Sequence, residues 1–336
     1  MTMHDGLMFQ NDRFKKQIAS IDQSQYQVVH RHQLVESFPI DEGVLAVQEL
    51  TDMGIVSPAY KIWDVDMEKV VPKYLEFALR APRSIEYYKS KLRGTTARRR
   101  SIPDAEFCAM RIEYPSLNEQ KIIVDIIEKA KQVINLRSLE LDTLDALIKA
   151  RFVELFDEKY PEDTLLNLCN IIDYRGKTPE KVEYGLPFIT AKNVKMHHMT
   201  LEPREYISKE TYNKVMVRGF PKEGDVVFTT EAPLGNVCRI PHFDTGFYIG
   251  QRIVTMQTDA LNPTYLEYAL SDEEFVRKYM GKSSGSTVTG IRVRLLEQLT
   301  IPVPPRTLQD EFSIFVEQVD KSKFIVIEGK NYEKHI

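Results

Sequence analysis

No stretch of the 336-residue chain approaches the ~18 consecutive apolar residues a membrane helix needs, and the opening MTMHDGLMFQNDRFKK lacks the apolar centre of a signal peptide. A cytoplasmic protein without membrane contact is the expectation. Cysteine is scarce. Cys108, Cys169 and Cys238 lie far apart with no C-x-x-C pair, which argues against a zinc site and against a disulfide framework. The seven histidines show no H-E-x-x-H spacing, and the neighbours His197 and His198 should point to opposite sides of a strand, as surface residues rather than ligands. Neither a metal nor a cofactor is expected. Gly176-Lys177-Thr178 could end a phosphate-binding loop, but that pattern needs glycine where Ile171 stands. An excess of positive charge is also missing: 45 basic against 49 acidic side chains leave a net charge of −4.

A nucleic-acid binder needs only a local basic patch, so the distribution decides more than the sum. From Glu36 to Glu76 there are nine acidic and three basic side chains, after which Lys89, Lys91, Arg93, Arg98, Arg99 and Arg100 follow with no acid between them. The apolar content of 43% suffices for two domains with cores of their own.

The chain also repeats itself at an offset of 191 residues. Tyr74-Leu75-Glu76-Phe77-Ala78-Leu79 matches Tyr265-Leu266-Glu267-Tyr268-Ala269-Leu270, Gly94-Thr95-Thr96 matches Gly285-Ser286-Thr287, and Leu117-Asn118-Glu119 matches Leu308-Gln309-Asp310. With a slip of one residue, Gln33-Leu34-Val35 matches Asp225-Val226-Val227. Solenoid repeats run at only ~20–50 residues, so this is a tandem duplication of a whole module. Each copy orders a strand-rich stretch, a short helix headed by Tyr-Leu-Glu, a Gly/Ser/Thr loop with basic flanks, a proline-containing exit and a helix.

From Asn118 to about Phe156 apolar residues recur at Ile123, Ile127, Ala130, Ile134, Leu141, Leu144, Ile148 and Leu155, the 3-and-4 spacing of a helical seam interrupted at Arg137. About 39 residues at 1.5 Å each make a rod of ~58 Å, longer than the ~34 Å of one DNA turn. Such a rod could hold two reading heads apart along a duplex. The helix from Gln309 onward is shorter and more polar.

The repeat, the helices and several short blocks together resemble the specificity subunit of type I restriction-modification systems. The matching text in the second half is DYRGKTPEK (173–181), GLPFITAKNV (185–194), EGDVVFTT (223–230), GQRIVTM (250–256), SSGSTVTGIRV (283–293) and IPVPPRTLQDEF (301–312). In the first half it is GIVSPAYKIW (54–63), YLEFAL, RGTTARRRSI (93–102) and YPSLNEQKII (114–123). The resemblance implies an α+β fold with two tandem strand-rich target-recognition domains. Each is followed by a long helix, and the helices pair as an antiparallel coiled coil with pseudo-two-fold symmetry. The expected divisions are 1–116, 117–158, 159–304 and 305–336. Implied partners are double-stranded DNA, read as a bipartite site, two methyltransferase subunits docked on the helices, and an endonuclease/translocase subunit. The sequence departs from the family pattern in its first half. There are 65 residues from Lys159 to Glu223 in the second module but only 31 before His32, so the counterpart of DYRGKTP and PFITAKN is missing from the first.

Base edges are read by Arg and Lys on guanine and by Asn and Gln on adenine, while cations, hydroxyls and backbone N–H groups hold phosphates. Equivalent loops supply these types: Lys91, Arg93, Thr95, Thr96, Arg98, Arg99 and Arg100 in the first module, and Lys282, Ser283, Ser284, Ser286, Thr287, Arg292 and Arg294 in the second. Recurrence at one position in both modules favours DNA over a merely solvated face. Arg175, Lys177, Thr178, Thr190, Lys192 and Asn193 form a second polar group, with turn formation as the competing role. Gln251 and Arg252 rank lower, since their apolar neighbours fit a strand. The seam residues expected to face a partner helix are Ile123, Ile127, Ile134, Leu141, Leu144, Ile148 and Leu155.

No catalytic residue is expected. Asn262-Pro263-Thr264-Tyr265 resembles the Asn-Pro-Pro-Tyr motif of amino-methyltransferases, but the duplicate text Val71-Pro72-Lys73-Tyr74 lacks the Asn. A shared proline before Tyr-Leu-Glu fits a helix start instead. Two rivals stay open: a fragment of a fused restriction-modification enzyme with its own methyltransferase or nuclease activity, and a scaffold that binds methyltransferase without reading DNA.

Overall fold

The structure, a computed structural model, describes residues 1, 6–9, 12, 23–92, 101–174, 176, 179–284 and 289–333, with side chains through Phe324. The chain divides into two compact units, Met1–Asn135 and Leu136–Ile336, and the division falls inside its longest helix.

The first unit contains β1 (Gln27–His30), β2 (Leu34–Glu36), β3 (Leu45–Val47), β4 (Met53–Val56) and β5 (Lys61–Trp63), followed by α1 (Pro72–Arg80), α2 (Pro82–Lys91) and α3 (Asp104–Cys108). β2 lies between β3 and β5, antiparallel to both, with Leu34 opposite Val47 on one side and Trp63 on the other. β1 pairs with β4 as a separate hairpin sheet. Pro72 and Pro82 open α1 and α2 at positions where the missing N–H leaves no hydrogen bond unmade. The core gathers Leu34, Leu45, Val47, Leu79, Tyr88 and Phe107, with the Trp63 ring stacked 5.1 Å from that of Phe107.

The long helix α4 (Leu117–Phe156) begins with a capping box: the Ser116 N–H donates to the Glu119 carboxylate at 2.9 Å and the Glu119 N–H to Ser116 Oγ at 3.4 Å. Its 40 residues agree with the span expected from periodicity.

The second unit adds β6 (Glu162–Thr164), α5 (Leu165–Leu168), β7 (Asn170–Asp173), β8 (Leu186–Ile189), β9 (Val194–Lys195), β10 (His198–Met199), β11 (Tyr206–Ile207) and α6 (Lys209–Val215). There follow β12 (Val226–Thr230), β13 (Leu234–Arg239), β14 (Tyr248–Ile249), β15 (Ile253–Gln257), α7 (Pro263–Ser271), α8 (Glu273–Met280), α9 (Val293–Leu296), β16 (Thr300–Pro302) and α10 (Arg306–Glu333). The main sheet runs β13-β12-β15-β7, all antiparallel. A second sheet, β11-β8-β14, joins β8 and β14 in parallel, with Phe188 opposite Tyr248.

The duplication is visible in the pairing. β12 sits between β13 and β15 as β2 sits between β3 and β5, with Val226 opposite Arg239 and Met256. The segment that has no counterpart in the first half supplies β7, the fourth strand, and β8 to β11.

Two residues report the equivalence more sharply than the sequence blocks do. Gln120, at the start of α4, accepts the Val71 N–H at 2.8 Å and donates to Pro115 O at 2.8 Å; Gln309, at the start of α10, accepts the Asn262 N–H at 2.8 Å and donates to Pro304 O at 2.8 Å. Likewise Tyr74 donates its hydroxyl proton to Glu113 O and Tyr265 to Pro302 O. Gln120 and Gln309 stand 189 positions apart, not 191. The match of Leu117-Asn118-Glu119 to Leu308-Gln309-Asp310 is therefore displaced by two residues, because the second copy has a shorter exit between its Tyr-Leu-Glu helix and its long helix.

Within the second unit α10 runs antiparallel to the end of α4. Arg151 pairs with Glu311 at one point and Asp145 with Lys323, at 2.7 Å, further along. Ile148, fully buried, packs with Phe312, Val316 and Val319, and Leu144 and Leu155 join from its edges. Leu141, Ile123 and Ile127 are half-buried, but Ile134 is 41% exposed. The even seam expected along the rod is thus well buried only towards its C-terminal end.

Candidate nucleic-acid interface

Several of the expected DNA-contacting residues lie outside the described residues: Arg93, Thr95, Thr96, Arg98, Arg99 and Arg100 in the first module, and Arg175, Lys177, Thr178, Ser286 and Thr287 in the second. Of the first loop, Lys91 ends α2, where it pairs with Glu106 at 3.1 Å and lies over the Tyr87 ring.

In the second module the polar segments converge on the end of β12. The Ile291 N–H donates to Thr230 O, and Gly290 bridges both Ser284 and Glu231. The Thr230 N–H in turn donates to Arg252 O, and the Arg252 guanidinium pairs with Glu231 at 2.8 Å. Lys282 and Ser284 are exposed on the way into this loop, whereas Ser283 turns its hydroxyl to Met280 O. Arg292 precedes α9 as its N-cap residue and Arg294 lies within it, both exposed. Among the described residues neither they nor Lys282 has an acidic partner, so three cations face solvent at one end of the sheet.

Next to this end lie the turn after β8, with Thr190 and Lys192, and the turn after β14, with Gly250, Gln251 and Arg252. They line a cleft of about 230 Å³. Asn193 does not belong with the readers. It is 1% exposed, its carbonyl accepts from the Thr190 N–H and hydroxyl at 2.9 Å each, and its amide donates to Thr200 O and Pro203 O at 3.1 Å. A buried side chain with its polar atoms all engaged closes a loop and has nothing left for a base.

His197 also differs from expectation. It occupies a left-handed conformation, φ 62°, in the turn between β9 and β10, so it and His198 do not alternate on one strand. Its ring stacks on Tyr268 at 4.2 Å and its Nδ1 lies 2.9 Å from a Glu267 carboxylate oxygen. The other oxygen of Glu267 accepts from Arg239 Nε at 2.7 Å, and Arg239 approaches Asp320 of α10 at 3.8 Å. Glu267 is 1% exposed. Its duplicate Glu76, 3% exposed, accepts the Val47 N–H at 2.9 Å and pairs with Lys73 and Arg80 of its own helix. Each copy thus buries one carboxylate between its Tyr-Leu-Glu helix and the second strand of the hairpin, β3 or β13. The signal was a glutamate kept in both copies of an otherwise apolar helical block.

The two buried thiols are chemically quiet: burial pushes Cys169 and Cys238 up to about 12. Among the described residues no three His, Cys, Asp or Glu side chains converge as metal ligands would, and no helix is long and apolar enough to cross a membrane.

A duplicated α+β module in which a clasped helix carries a sheet with a polar, cation-rimmed end is the architecture of a specificity subunit. The family model for the type I restriction modification DNA specificity domain matches residues 160–333, and the chain belongs to that family. It is 23% identical over 293 residues to the type I restriction enzyme MjaVIII specificity subunit of Methanocaldococcus jannaschii, covering 78% of this chain and 65% of that one. The chain therefore spans less than two thirds of the length of this relative. Among solved structures, the type I restriction-modification S subunit from M. genitalium matches with a TM-score of 0.57 at 13% identity, over 91% of this chain and 80% of that one. A chain from a structural study of assembly and conformational transition in a type I restriction-modification system matches with a TM-score of 0.52 at 18% identity, over 92% and 78%. At these identities the structural likeness establishes the fold.

Proposed function

We propose that this chain is a non-catalytic DNA-reading and assembly subunit: each module reads one half of a bipartite site, and the helices dock two methyltransferase subunits, which an endonuclease/translocase subunit can join. The observation that carries the reading is the convergence, at the end of β12, of Ser284, Gly290 and Ile291 with the turns holding Lys192 and Gln251, beside Lys282, Arg292 and Arg294, which have no acidic partner among the described residues. Long side chains on well-anchored turns suit base edges, and free cations beside them suit phosphates. The loops with Arg98, Arg99 and Arg100, and with Arg175, Lys177 and Thr178, are assigned to DNA contact, each within its own module, by sequence alone, and the limits 1–116, 117–158, 159–304 and 305–336 rest on sequence alone as well. Ile123, Ile127, Ile134, Leu141, Leu144, Ile148 and Leu155 are assigned to helix pairing.

The test is selection from a random duplex library by the full chain, followed by sequencing of the bound DNA. Two short defined blocks separated by an undefined gap of constant length are expected. Recovery of duplexes without sequence enrichment would favour the scaffold reading. Methyl transfer or cleavage by the purified chain alone would favour the fused-enzyme reading.

A further inference from the structure

The cleft beside β8 and β14 resolves into two kinds of group. Lys181 pairs with Glu205 at 2.8 Å and Arg252 with Glu231 at 2.8 Å, so both cations already have a carboxylate. Lys192 is exposed and, among the described residues, has none. Gln251 is half-buried in the cleft, and its amide makes no hydrogen bond with any described residue. A phosphate site would gather several free cations. Among the described residues that line the cleft, Lys192 is the one cation without a carboxylate, and it stands beside the Gln251 amide, which carries one donor group and one acceptor.

Both side chains project from fixed backbone. Thr190 and Asn193 close the loop that carries Lys192 through the two hydrogen bonds between them and the Thr190 O to Asn193 N–H bond at 2.9 Å. The turn that carries Gln251 is tied to β8 by the Gly250 N–H on Ile189 O at 2.7 Å. A Cβ at Gly250 would come within 3.0 Å of the Phe188 ring and 3.1 Å of Ile189 O, so glycine lets the two strand ends approach closely. Preorganised side chains lose less freedom on binding than those on loose loops. The buried Asn193 acts here as the residue that holds Lys192 in place.

We propose that Gln251 is a specificity-determining residue that reads one adenine through paired hydrogen bonds to its N6 and N7, while Lys192 holds the adjoining phosphate. The amide of glutamine matches that donor–acceptor pair, whereas the ammonium of lysine is a point charge suited to the backbone. The assignment rests on the DNA-reading function proposed above and fixes one position of the half-site read by the second module.

The test repeats the duplex selection with full-length Q251A and K192A. For Q251A, preference for adenine at one position of one block should fall by roughly tenfold or more, with the other block and the gap unchanged. For K192A, the motif should stay the same while binding weakens for all duplexes and the log–log salt slope shrinks by ~0.9. An unchanged motif from Q251A overturns the assignment, as does a changed base preference in the other block. If Q251A selects no motif, Q251E decides: the isosteric carboxylate should shift that position towards cytosine, and a chain that melts normally but selects the old motif or none counts against the proposal. Absence of a motif from the unaltered chain would instead bring down the DNA-reading function itself.

Discussion

The two copies of the module agree where helix meets sheet and differ at the far edge of the sheet. In both, a glutamine at the start of a long helix accepts the N–H at the head of the Tyr-Leu-Glu helix, and in both a buried glutamate faces the hairpin. In the second, β7 adds a fourth strand on the open side of β15 and the parallel pair β8·β14 brings the cleft with it; among the described residues of the first, β5 is the edge of a three-stranded sheet. The shared part is what positions a helix, and the unshared part adds a fourth strand and one wall of the cleft. Duplication has kept the joint and varied the surface.

The sharpest test of that division is the buried carboxylate. Glu267 joins the β9–β10 turn, β13 and α7, and its loss strands Arg239 and His197 at once; Glu267→Ala should cost about 3–5 kcal/mol. Lys73 and Arg80 stand on the same helix as Glu76, so Glu76→Ala unties no other element through them and should leave mainly one unpaired buried N–H, that of Val47, at about 1–3 kcal/mol. Urea unfolding of the two variants compares them, and an equal or larger cost at Glu76 would break the contrast.

Within α4 a second contrast separates its ends. Ile148→Ala opens a cavity against Phe312, Val316 and Val319 and should cost about 2–5 kcal/mol, while Ile134→Ala, at an exposed position, should cost under ~1 kcal/mol. Thermal melting distinguishes them. A large loss at Ile134 would mean that this part of the rod is covered in solution.

Gln120→Ala and Gln309→Ala should behave alike, each leaving one half-buried N–H without its acceptor, that of Val71 or Asn262, at about 1–3 kcal/mol. Here it is inequality that would damage the claim of a shared joint.

The smallest effect is a difference of sign with pH. Burial pushes the Glu36 carboxyl above the ordinary carboxylate range, against the opposing pull of Lys61 and the Trp63 indole. Its contribution is therefore present below the ordinary carboxylate pKa and lost as pH rises through the raised value. Glu162 is held below that range by the Thr300 hydroxyl and the Lys278 ammonium, so its contribution is present above the ordinary pKa and lost as pH falls through the depressed value. Between about pH 4 and pH 7, Glu36→Gln should gain stability relative to the unaltered chain and Glu162→Gln should lose it. Paired unfolding curves at the two pH values check both signs.

The long helix, the duplication and a strand-rich stretch in each copy were legible in the sequence, because apolar periodicity and block repetition survive in one dimension. The two-residue displacement of the last block was not, since Gln120 and Gln309 are matched by the hydrogen bonds they make rather than by their neighbours. Asn193 reads as a base-contacting amide until its partners at Thr190, Thr200 and Pro203 are seen, and Gln251 reads as part of a strand until β14 is seen to end just before it. Side-chain type announces what a residue can bind. Only the surrounding backbone decides whether its polar atoms are already spent.

The glutamine joint has a mechanical consequence within each unit. Successive residues of a helix advance its face by about 100°, so a helix held only by greasy contacts can rotate and slide to another set of apolar neighbours at modest cost. Gln120 and Gln309 prevent this in the manner of a key in a shaft: each reaches from a fixed position on the helix to the N–H at the head of α1 or α7 while its amide holds the carbonyl of Pro115 or Pro304, and turning the helix would break both bonds. Any torque applied to α4 near Gln120, or to α10 near Gln309, must therefore be delivered to the sheet it carries.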